Sequence, residues 1–491
     1  MHNIRRAPTG DLRRANNQVP GRYGESMGNR QLLAGAAQVD ITAPPGTHLS
    51  GAVGQHRPAE GILEPLWARA LVLRSGDRTL CLIVLDVTIV TEDYSVRLRE
   101  AAVQLTGCRP QDALICATQT HSAPSLGHFM VDPDFPELPD HLEWLRGTEA
   151  AYSEWALAEA VAAVQAAAED LEPVQMAVGS GVEGRLAHNR RGVDREGKVR
   201  MPPRYWDNPL GPTWLRYLEG PIDPEVGVIA FRREDGRLKA MLVHHTCHPV
   251  HVFPQLLVSP DWPGALCDVL QEAHQGCVPL VLNGACGNIN PWPPFEPDYD
   301  NDHRRMGKQL AEVVERVIPT LEFRADVMLD ATREILPLPF RQIPPEELAR
   351  VEAIVSSPPE WADEERKLID SEWVVAASIW SVHLQQQREG KLPYAVQVLR
   401  LGDSAVVGLP GEPFVEGQLA IKIGSPTYPT YLAHCTGQYV GYIPTQAALQ
   451  RGGHEVHTRY WAKLQPEALD SIVAQALKLL ADIFPSQGDQ P

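Results

Sequence analysis

The chain has 491 residues, 44% of them hydrophobic and 22% charged, which is typical of a globular protein with a large buried core. Its formal net charge of -18 at pH 7 argues against nucleic acid or an anionic membrane surface as the main partner, because both would be repelled. The 8 cysteines lie singly, without a CxxC pair, which indicates reduced and buried thiols.

The two ends of the chain are expected to be tails, residues 1–33 and 486–491. The first contains arginines and small polar residues but lacks the apolar core of a secretory signal. The longest apolar run, which begins at Leu80, is too short to cross a bilayer and contains Asp86. The sequence therefore predicts no transmembrane segment and a cytoplasmic location.

Between residues 34 and 485, short β-branched runs alternate with amphipathic segments, which predicts a single α/β domain covered by helices. The predicted strands are LWARALVLRS, TLCLIVLDVTIV, ALICAT, VQMAVGSG, GVIAFRRE, KAMLVHHT, VPLVLNGA and SAVVGLPG. The predicted helices are residues 94–105, 148–171, 263–274, 303–318, 345–355, 372–387, 414–423 and 466–483. Residues 321–392 are the candidate for a semi-independent lobe. Ligand sites in this class gather at the carboxyl ends of strands.

The loop ATQTHSAP follows the apolar strand DALICAT and places Gln119 and His121 among small residues. Downstream, KAMLVHHTCHPVHVF carries four histidines at the end of a predicted strand. Pro249 disfavours a helix through these histidines, so a helical HExxH-type pair is excluded. His248, in the turn-forming TCHP context, is the favoured site residue, although a lone histidine in a core is the commoner occurrence.

The segment VPLVLNGACGNINPW predicts a buried strand running into a glycine loop. Gly284 and Gly287 permit close backbone approach to a ligand, and exposed N–H groups there could hold an oxyanion. Its polar side chains include Asn288 and Asn290, and Cys286 is its only conventional nucleophile. An ordinary turn explains the same composition equally well.

Two further segments carry candidate polar groups. Glu412 stands at a predicted helix start in SAVVGLPGEPF, where the helix dipole alone partly explains a carboxylate. Tyr439 and Tyr442 lie in HCTGQYVGYIPT, where either could simply pack with its hydroxyl at the surface.

Three proline-rich aromatic stretches, residues 129–144, 201–224 and 291–299, either cover the sheet or line a substrate cleft. They offer more apolar area than a connection needs. The candidate side chains are Trp206, Trp214, Trp292 and Phe295.

Taken together and in this order, the segments resemble the neutral, non-lysosomal ceramidase family from Ala34 to near the C-terminus. The supporting motifs are VDIT, LWARALVL with Arg69, VLDV with Asp86, HNRRG with Arg190, SPDWPG with Asp261, and GYIPT followed by GGHEV. The resemblance implies a ceramidase-like catalytic domain of mixed sheets covered by helices, without the C-terminal β-sandwich. It also implies a zinc-dependent amidase, with metal ligands at His248, Glu412, Tyr442 and position 119, and with His121 and Arg190 facing the substrate.

The chain departs from the family pattern at two positions. The family loop reads ATHTHSGP where this chain has Gln119, and a neutral amide oxygen is a poorer zinc ligand than imidazole. Gln119 could bind through its oxygen, His121 could replace it, the site could take another divalent ion such as Mn or Ca, or no metal could bind. The family serine nucleophile of GDVSP is replaced by Asn290.

The resulting hypothesis is a hydrolase of an amide or ester bond in a small intracellular substrate, acting through metal-activated water. His121 would be the general acid or base, Arg190 would orient the substrate, and Asn290 with the Gly287 backbone would stabilise the oxyanion. Asn288 and Trp292 complete the predicted substrate contacts.

The alternatives are a lyase or glycoside-acting enzyme that uses His121 and Tyr442 as acid and base, and a non-catalytic ligand-binding protein. Cys286 as nucleophile is the weaker chemical option, since no neighbouring base is visible in the sequence. The sequence predicts no oligomeric state.

Overall fold

The computed structural model describes residues 31–202, 213–296 and 299–485, and it contains two main sheets. The large sheet has eight strands, in spatial order Val278–Asn283, Leu238–His245, Glu225–Arg233, Glu172–Val182, Leu33–Asp40, Trp67–Ser75, Arg78–Leu85 and Ala113–Ala117. The small sheet has four strands, in spatial order Leu329–Pro339, Lys391–Leu401, Ser404–Gly408 and Thr430–Ala433. Both sheets mix parallel and antiparallel pairs, which confirms the predicted class.

The eight predicted helices are all present, with ends shifted by a few residues. The helices are Glu92–Thr106, Ala150–Glu169, Asp261–Ala273, His303–Val317, Pro345–Val355, Ser371–Glu389, Val415–Gly424, Ala468–Ile483 and the short Gln446–Arg451, which the sequence pattern did not predict. Single turns of 3-10 helix lie at Pro110–Asp112, Ile318–Thr320 and His454–Val456, with a longer one at Asp140–Arg146. The described helices include none that is long and apolar enough to cross a membrane.

Four strands of the main sheets escaped prediction: Leu33–Asp40, Leu329–Pro339, Lys391–Leu401 and Thr430–Ala433. Leu329–Pro339 illustrates why a strand was missed. The middle of this strand carries exposed and charged side chains and does not alternate between apolar and polar residues. It pairs along its whole length with Lys391–Leu401, so residues 321–392, the candidate lobe, contribute an edge strand to the small sheet. The expected tails lie outside the described residues, except for 31–33.

The two sheets pack face to face, and helices cover both outer faces. One cluster of buried side chains joins the inner faces, with Leu71 and Leu82 of the large sheet against Leu399 and Val406 of the small one. A second cluster packs the helices Glu92–Thr106 and Ala150–Glu169 on the large sheet, and a third packs Ala468–Ile483 on the small sheet. The order of layers is therefore helix, sheet, sheet, helix.

The carboxyl ends of several strands meet at one edge of this sandwich. His434 N–H donates to Asn283 O at 2.9 Å, and Ala117 N–H donates to Cys435 O at 3.3 Å. Asn283 and Ala117 end the two outermost strands of the large sheet, so residues that follow Thr430–Ala433 bridge its opposite edges. The loops that leave these strands are consequently neighbours, although they are far apart in sequence.

A buried ion pair lies within the large sheet. Arg69 Nη1 donates to Asp86 Oδ2 at 2.6 Å, and neither side chain is more than 1% exposed. The Trp67 N–H donates to the same oxygen at 3.1 Å. Removal of the carboxylate would leave a buried guanidinium without its counter-charge.

We therefore predict that Asp86→Ala lowers the free energy of unfolding by about 3–5 kcal/mol, as measured by urea denaturation. The control is Glu154→Gln, which breaks the exposed pair with Arg97 and should leave the midpoint almost unchanged. Equal effects of the two substitutions would contradict a structural role for the buried pair.

Candidate active site

A cleft opens at the edge where the strand ends meet, with an empty volume of about 430 Å³ including its mouth. Its polar side is formed by Gln119, His121, Glu412 and Tyr442, four residues chosen from the sequence. Its remaining lining is Gly51, Val53, Thr88, Ile89, Phe129, Met130, Tyr439, His454 and Trp461. Size and mixed lining suit a small organic molecule.

A pair of short strands places Glu412 beside Tyr442. Glu412–Pro413 runs parallel to Tyr442–Ile443, with Glu412 directly opposite Tyr442, and Glu412 N–H donates to Gly441 O at 2.8 Å. Gly441 has φ 83° and lies against Trp461, where an added Cβ would come within 2.4 Å of the backbone. Only glycine fits there, which explains part of the GYIPT motif.

His248 and Glu412 face each other beside the cleft, which Glu412 lines and His248 does not. His248 Nδ1 donates to Cys286 O at 2.6 Å, because a carbonyl can only accept, so the lone pair is on Nε2. That Nε2 lies 3.3 Å from Glu412 Oε2. Both atoms are buried, and neither has a hydrogen-bond partner among the described residues.

The electrostatics of this pair call for a cation between the two atoms. Burial, and next the charge of Arg190, lower the pKa of His248 to about 3, so its ring is neutral at pH 7. The Nε2 lone pair then faces Glu412 Oε2, and the two atoms can bind a cation between them. Two corners of a zinc tetrahedron with bonds of about 2.0–2.2 Å lie about 3.4 Å apart, close to the observed separation.

His121 lies beside this pair, at the wall of the cleft. Its Nδ1 donates to Gly51 O at 3.1 Å, which leaves the Nε2 lone pair free, and its ring centroid is 5.5 Å from that of His248. Arg57 Nη1 donates a hydrogen bond to the His121 carbonyl oxygen at 3.0 Å. Burial, followed by His248, lowers the pKa of His121 to about 3. His121 is therefore a neutral imidazole that can accept a proton.

Gln119 has a backbone conformation that few residues other than glycine adopt. Its φ is 68° and its side chain is buried at the cleft wall. Strained residues of this kind persist where the surrounding structure determines them and cluster at functional sites. Gln119 Oε1 accepts from Cys286 Sγ at 3.6 Å, so the residue that replaces the family histidine contacts the glycine loop.

The structure adds His434, which sequence reasoning missed. Cys286 Sγ lies 3.7 Å from both ring nitrogens of His434, and burial lowers the pKa of His434 to about 3. The base that the sequence did not reveal is thus adjacent to Cys286. Burial, however, raises the pKa of the Cys286 thiol, and Cys286 does not line the cleft, so a reactive thiolate is disfavoured. The signal available in sequence was the position of His434 directly after a short strand.

Arg190 lies behind Tyr442 rather than at the cleft surface. Its Nε donates to Glu455 Oε1 at 2.8 Å, its Nη1 to Asn290 Oδ1 at 3.3 Å, and its guanidinium lies 5.2 Å from the Tyr442 ring centroid. Although burial opposes the charge, Tyr442 and Glu455 raise the pKa of Arg190. Burial and then Glu412 raise the pKa of Tyr442. Arg190 is thus a charged positioning residue for Tyr442.

Three residues predicted to contact the oxyanion or the substrate make other contacts in the structure. Gly287 N–H donates to Pro413 O at 3.1 Å, and a Cβ at Gly287 would lie 2.3 Å from Glu412 O, so this glycine serves close packing. Asn288 Oδ1 accepts from Val415 N at 2.9 Å and its Nδ2 donates to Glu416 at 2.9 Å. Trp292 Nε1 donates to Asn301 at 2.9 Å, outside the cleft lining.

Among the described residues of the proline-rich aromatic stretches, Phe129 and Met130 line the cleft. Trp214 lies under Arg200, with 5.9 Å from guanidinium to ring centroid, and Phe295 is exposed. Trp206 lies outside the described residues. The apolar lining of the cleft therefore comes from Val53, Ile89, Phe129, Met130 and Trp461, not from the tryptophans singled out in the sequence.

The residues beside the cleft fit a metal ion through His248 and Glu412. No group of three or more His, Cys, Asp or Glu side chains in the described part of the chain is arranged to hold one. Further ligands would therefore come from other residue types, and Gln119 and Tyr442 line the same cleft. A donor set of one imidazole, one carboxylate, one amide oxygen and one phenol would be rich in oxygen, and oxygen donors suit harder ions than sulfur or additional imidazole ligands do.

One buried amide holds three of the site loops together. Asn283 Nδ2 donates to Thr118 O at 3.1 Å and to Cys247 O at 3.0 Å, while its Oδ1 accepts from Cys247 N at 3.2 Å. These bonds join the loop of Gln119, the loop of His248 and the strand before Cys286. Asn283 therefore positions the site without lining it.

We predict that Asn283→Ala destabilises the protein by about 1–3 kcal/mol for each buried backbone group left without a partner, as measured by chemical denaturation. Gln446→Ala, which removes an exposed amide paired with Asp470, is the control and should have little effect. A stability change at Asn283 no larger than at Gln446 would show that the three loops are held by other contacts.

The buried histidines also make stability depend on pH. His121, His248 and His434 have pKa values lowered to about 3, against an ordinary value of 6.5 in the unfolded chain. As the pH falls below 6.5, these histidines become protonated in the unfolded chain but stay neutral in the folded chain. Stability is therefore lost toward pH 3 and is unaffected above pH 6.5.

Each such histidine contributes up to about 1.4 kcal/mol per pH unit in this window. We predict that the free energy of unfolding, measured by denaturation from pH 7 to pH 4.5, falls as the pH falls. The slope of this free energy against pH should be smaller in His434→Gln, by the amount that corresponds to uptake of about one proton on unfolding. A stability independent of pH across that window would contradict neutral buried imidazoles.

Comparison with known proteins gives a fold relationship. No family model matches the sequence, and no curated protein matches it. The neutral ceramidase of Pseudomonas aeruginosa has a similar structure, with TM-score 0.68, 17% identity, and coverage of 93% of this chain and 75% of that chain. A ceramidase complexed with C2 is similar at TM-score 0.67 and 17% identity, covering 93% and 76%. The chain therefore has the neutral ceramidase fold.

Proposed function

We propose that the protein is a metal-dependent hydrolase that cleaves an N-acyl amide or an ester bond in a small intracellular substrate. One observation carries the proposal: His248 Nε2 and Glu412 Oε2 lie 3.3 Å apart, both buried and without a hydrogen-bond partner. Such an arrangement is costly unless a cation is held there. The ceramidase fold supports the reaction class by analogy.

His248 and Glu412 would hold the ion, with Gln119 and Tyr442 from the cleft wall as further ligands; zinc is the ion we propose. When bound, zinc supplies Lewis acidity that polarises a carbonyl oxygen and lowers the pKa of water. The Nδ1 bonds of His248 to Cys286 O and Ile289 O keep its ring in one orientation and tautomer.

His121 would move the proton in this reaction. Its free Nε2 lone pair faces the cleft, and its Nδ1 is committed to Gly51, so it accepts a proton from the attacking water at Nε2 and returns it to the leaving group. The protonated ring gains support from Glu412, which favours the charged form of His121. A neutral resting imidazole is the form that this step requires.

Tyr442 and Arg190 would act on the substrate carbonyl. The Tyr442 hydroxyl lines the cleft, and the charge of Arg190 behind the ring favours negative charge at or near that hydroxyl. Asn290, which replaces the family serine, is committed to Arg190 through its Oδ1. A covalent intermediate on residue 290 is therefore not part of the proposal.

The cleft favours a short acyl group over a long lipid. Its empty volume of about 430 Å³ includes the open mouth, so the enclosed part is smaller and has little room for a long acyl chain. Val53, Ile89 and Met130 give the cleft apolar lining, and His454 and Tyr439 add polar groups. We propose a small amide with one apolar and one polar end.

We predict that the protein purified from zinc-supplemented medium carries zinc by elemental analysis, and that His248→Ala loses it. Gln119→His should retain zinc more tightly against a chelator, because imidazole is the better ligand. His274→Gln, which alters a surface histidine paired with Glu315, is the matched control and should leave zinc content unchanged.

Activity would be followed on a panel of short-chain N-acyl anilides and esters. His121→Gln should lower kcat by about 10²–10⁴-fold while zinc content is retained. Wild type without stoichiometric metal, while Gln119→His acquires zinc, would contradict the metal-dependent mechanism. Activity insensitive to chelation would favour an acid-base enzyme that uses His121 and Tyr442, and inertness across the panel would favour a binding protein.

A further inference from the structure

A second, smaller pocket lies outside the cleft, with an empty volume of about 320 Å³. It forms where the helix Glu92–Thr106 meets strands Leu329–Pro339 and Lys391–Leu401 of the small sheet. The segment 436–438 closes its third side. That segment leads from His434 to Tyr439, so the pocket is separated from the cleft by a few residues of one loop.

Two guanidinium groups line this pocket without a hydrogen-bonded or ion-paired partner, although the charge of Glu92 acts on both. Neither Arg99 nor Arg333 makes an ion pair or hydrogen bond with any other described residue, and Arg99 Nε is buried. Burial, followed by Arg333, lowers the pKa of Arg99 to about 10, and burial lowers the pKa of Arg333. Both remain charged at pH 7. Other buried arginines of this protein, such as Arg191, are paired with carboxylates.

The remaining lining gives this pocket a net positive charge and an open approach. Glu92 is its one carboxylate; its Oε2 accepts from Gln438 at 3.4 Å, and it does not come within ion-pair distance of either arginine. The Thr436 hydroxyl also lines the pocket and has no partner in the described chain. Gly437, at φ 58°, keeps the approach open, since a Cβ there would lie 3.2 Å from Arg99 Nη2.

We propose that this pocket binds a phosphate group, either as inorganic phosphate or as a small phosphate monoester. Guanidinium groups present several N–H donors in a fixed plane that matches phosphate oxygens. Two such groups suit a tetrahedral dianion better than they suit a single carboxylate. The unpartnered hydroxyl of Thr436 adds a further donor. The site is independent of the proposed hydrolase activity.

The test is calorimetric titration of the full-length protein with inorganic phosphate at low ionic strength. Wild type should bind saturably, and Arg99→Gln and Arg333→Gln should each weaken binding by at least about tenfold, as expected for a charge-assisted hydrogen-bonded contact. Arg97→Gln is the matched control, because it removes the same charge from the same helix at a site paired with Glu154. A second titration uses glycerol phosphate. The ligand with the higher affinity, glycerol phosphate or inorganic phosphate, shows whether the pocket prefers a monoester or the free ion.

Glu92→Gln keeps the test decisive if an arginine variant fails to fold. Loss of this carboxylate removes repulsion of an anion, so phosphate binding should tighten, an effect that structural damage does not produce. No saturable phosphate binding by wild type would overturn the proposal. So would phosphate affinity that is unchanged in both arginine variants, or unchanged or weakened in Glu92→Gln.

Discussion

The candidate site depends on a backbone bridge between the opposite edges of the large sheet. His434 N–H bonds to Asn283 O, and Ala117 N–H bonds to Cys435 O, so a single short segment ties the outermost strands together at their carboxyl ends. The side chain of Asn283 adds bonds to Thr118 and Cys247. Through this bridge Gln119, His248 and the glycine loop become neighbours despite long separations in sequence.

Convergence of these loops places two buried polar atoms opposite each other without a hydrogen-bond partner among the described residues. The fold fixes the His248 ring through Nδ1 and lowers its pKa by burial, which leaves a lone pair opposite the Glu412 carboxylate. Most buried polar groups of folded proteins find a partner, so such an exception points to function. A cation between the two atoms resolves it, and His121 stands beside them as a neutral base.

Local patterns in the sequence were sufficient for most of the fold. All eight predicted helices and eight predicted strands are present. Strands such as Ala113–Ala117 and Leu238–His245 are buried at every position, so a continuous apolar run rather than an alternating pattern marks them. Thr430–Ala433 is too short for a clear period, and without it the bridge and the role of His434 were invisible. The site residues His248, Glu412 and Tyr442 came from motif resemblance, whereas the commitments of Gly287 and Asn288 to packing and capping depend on three-dimensional contacts.

The central claim is that a metal ion joins His248 and Glu412, and anomalous X-ray diffraction at the zinc absorption edge tests it most directly. Crystals grown with zinc should show an anomalous peak within bonding distance of His248 Nε2 and Glu412 Oε2, about 2.0–2.2 Å from each. A map of zinc-loaded crystals that shows no anomalous peak there, with the two side chains in direct hydrogen-bonded contact, would contradict the account.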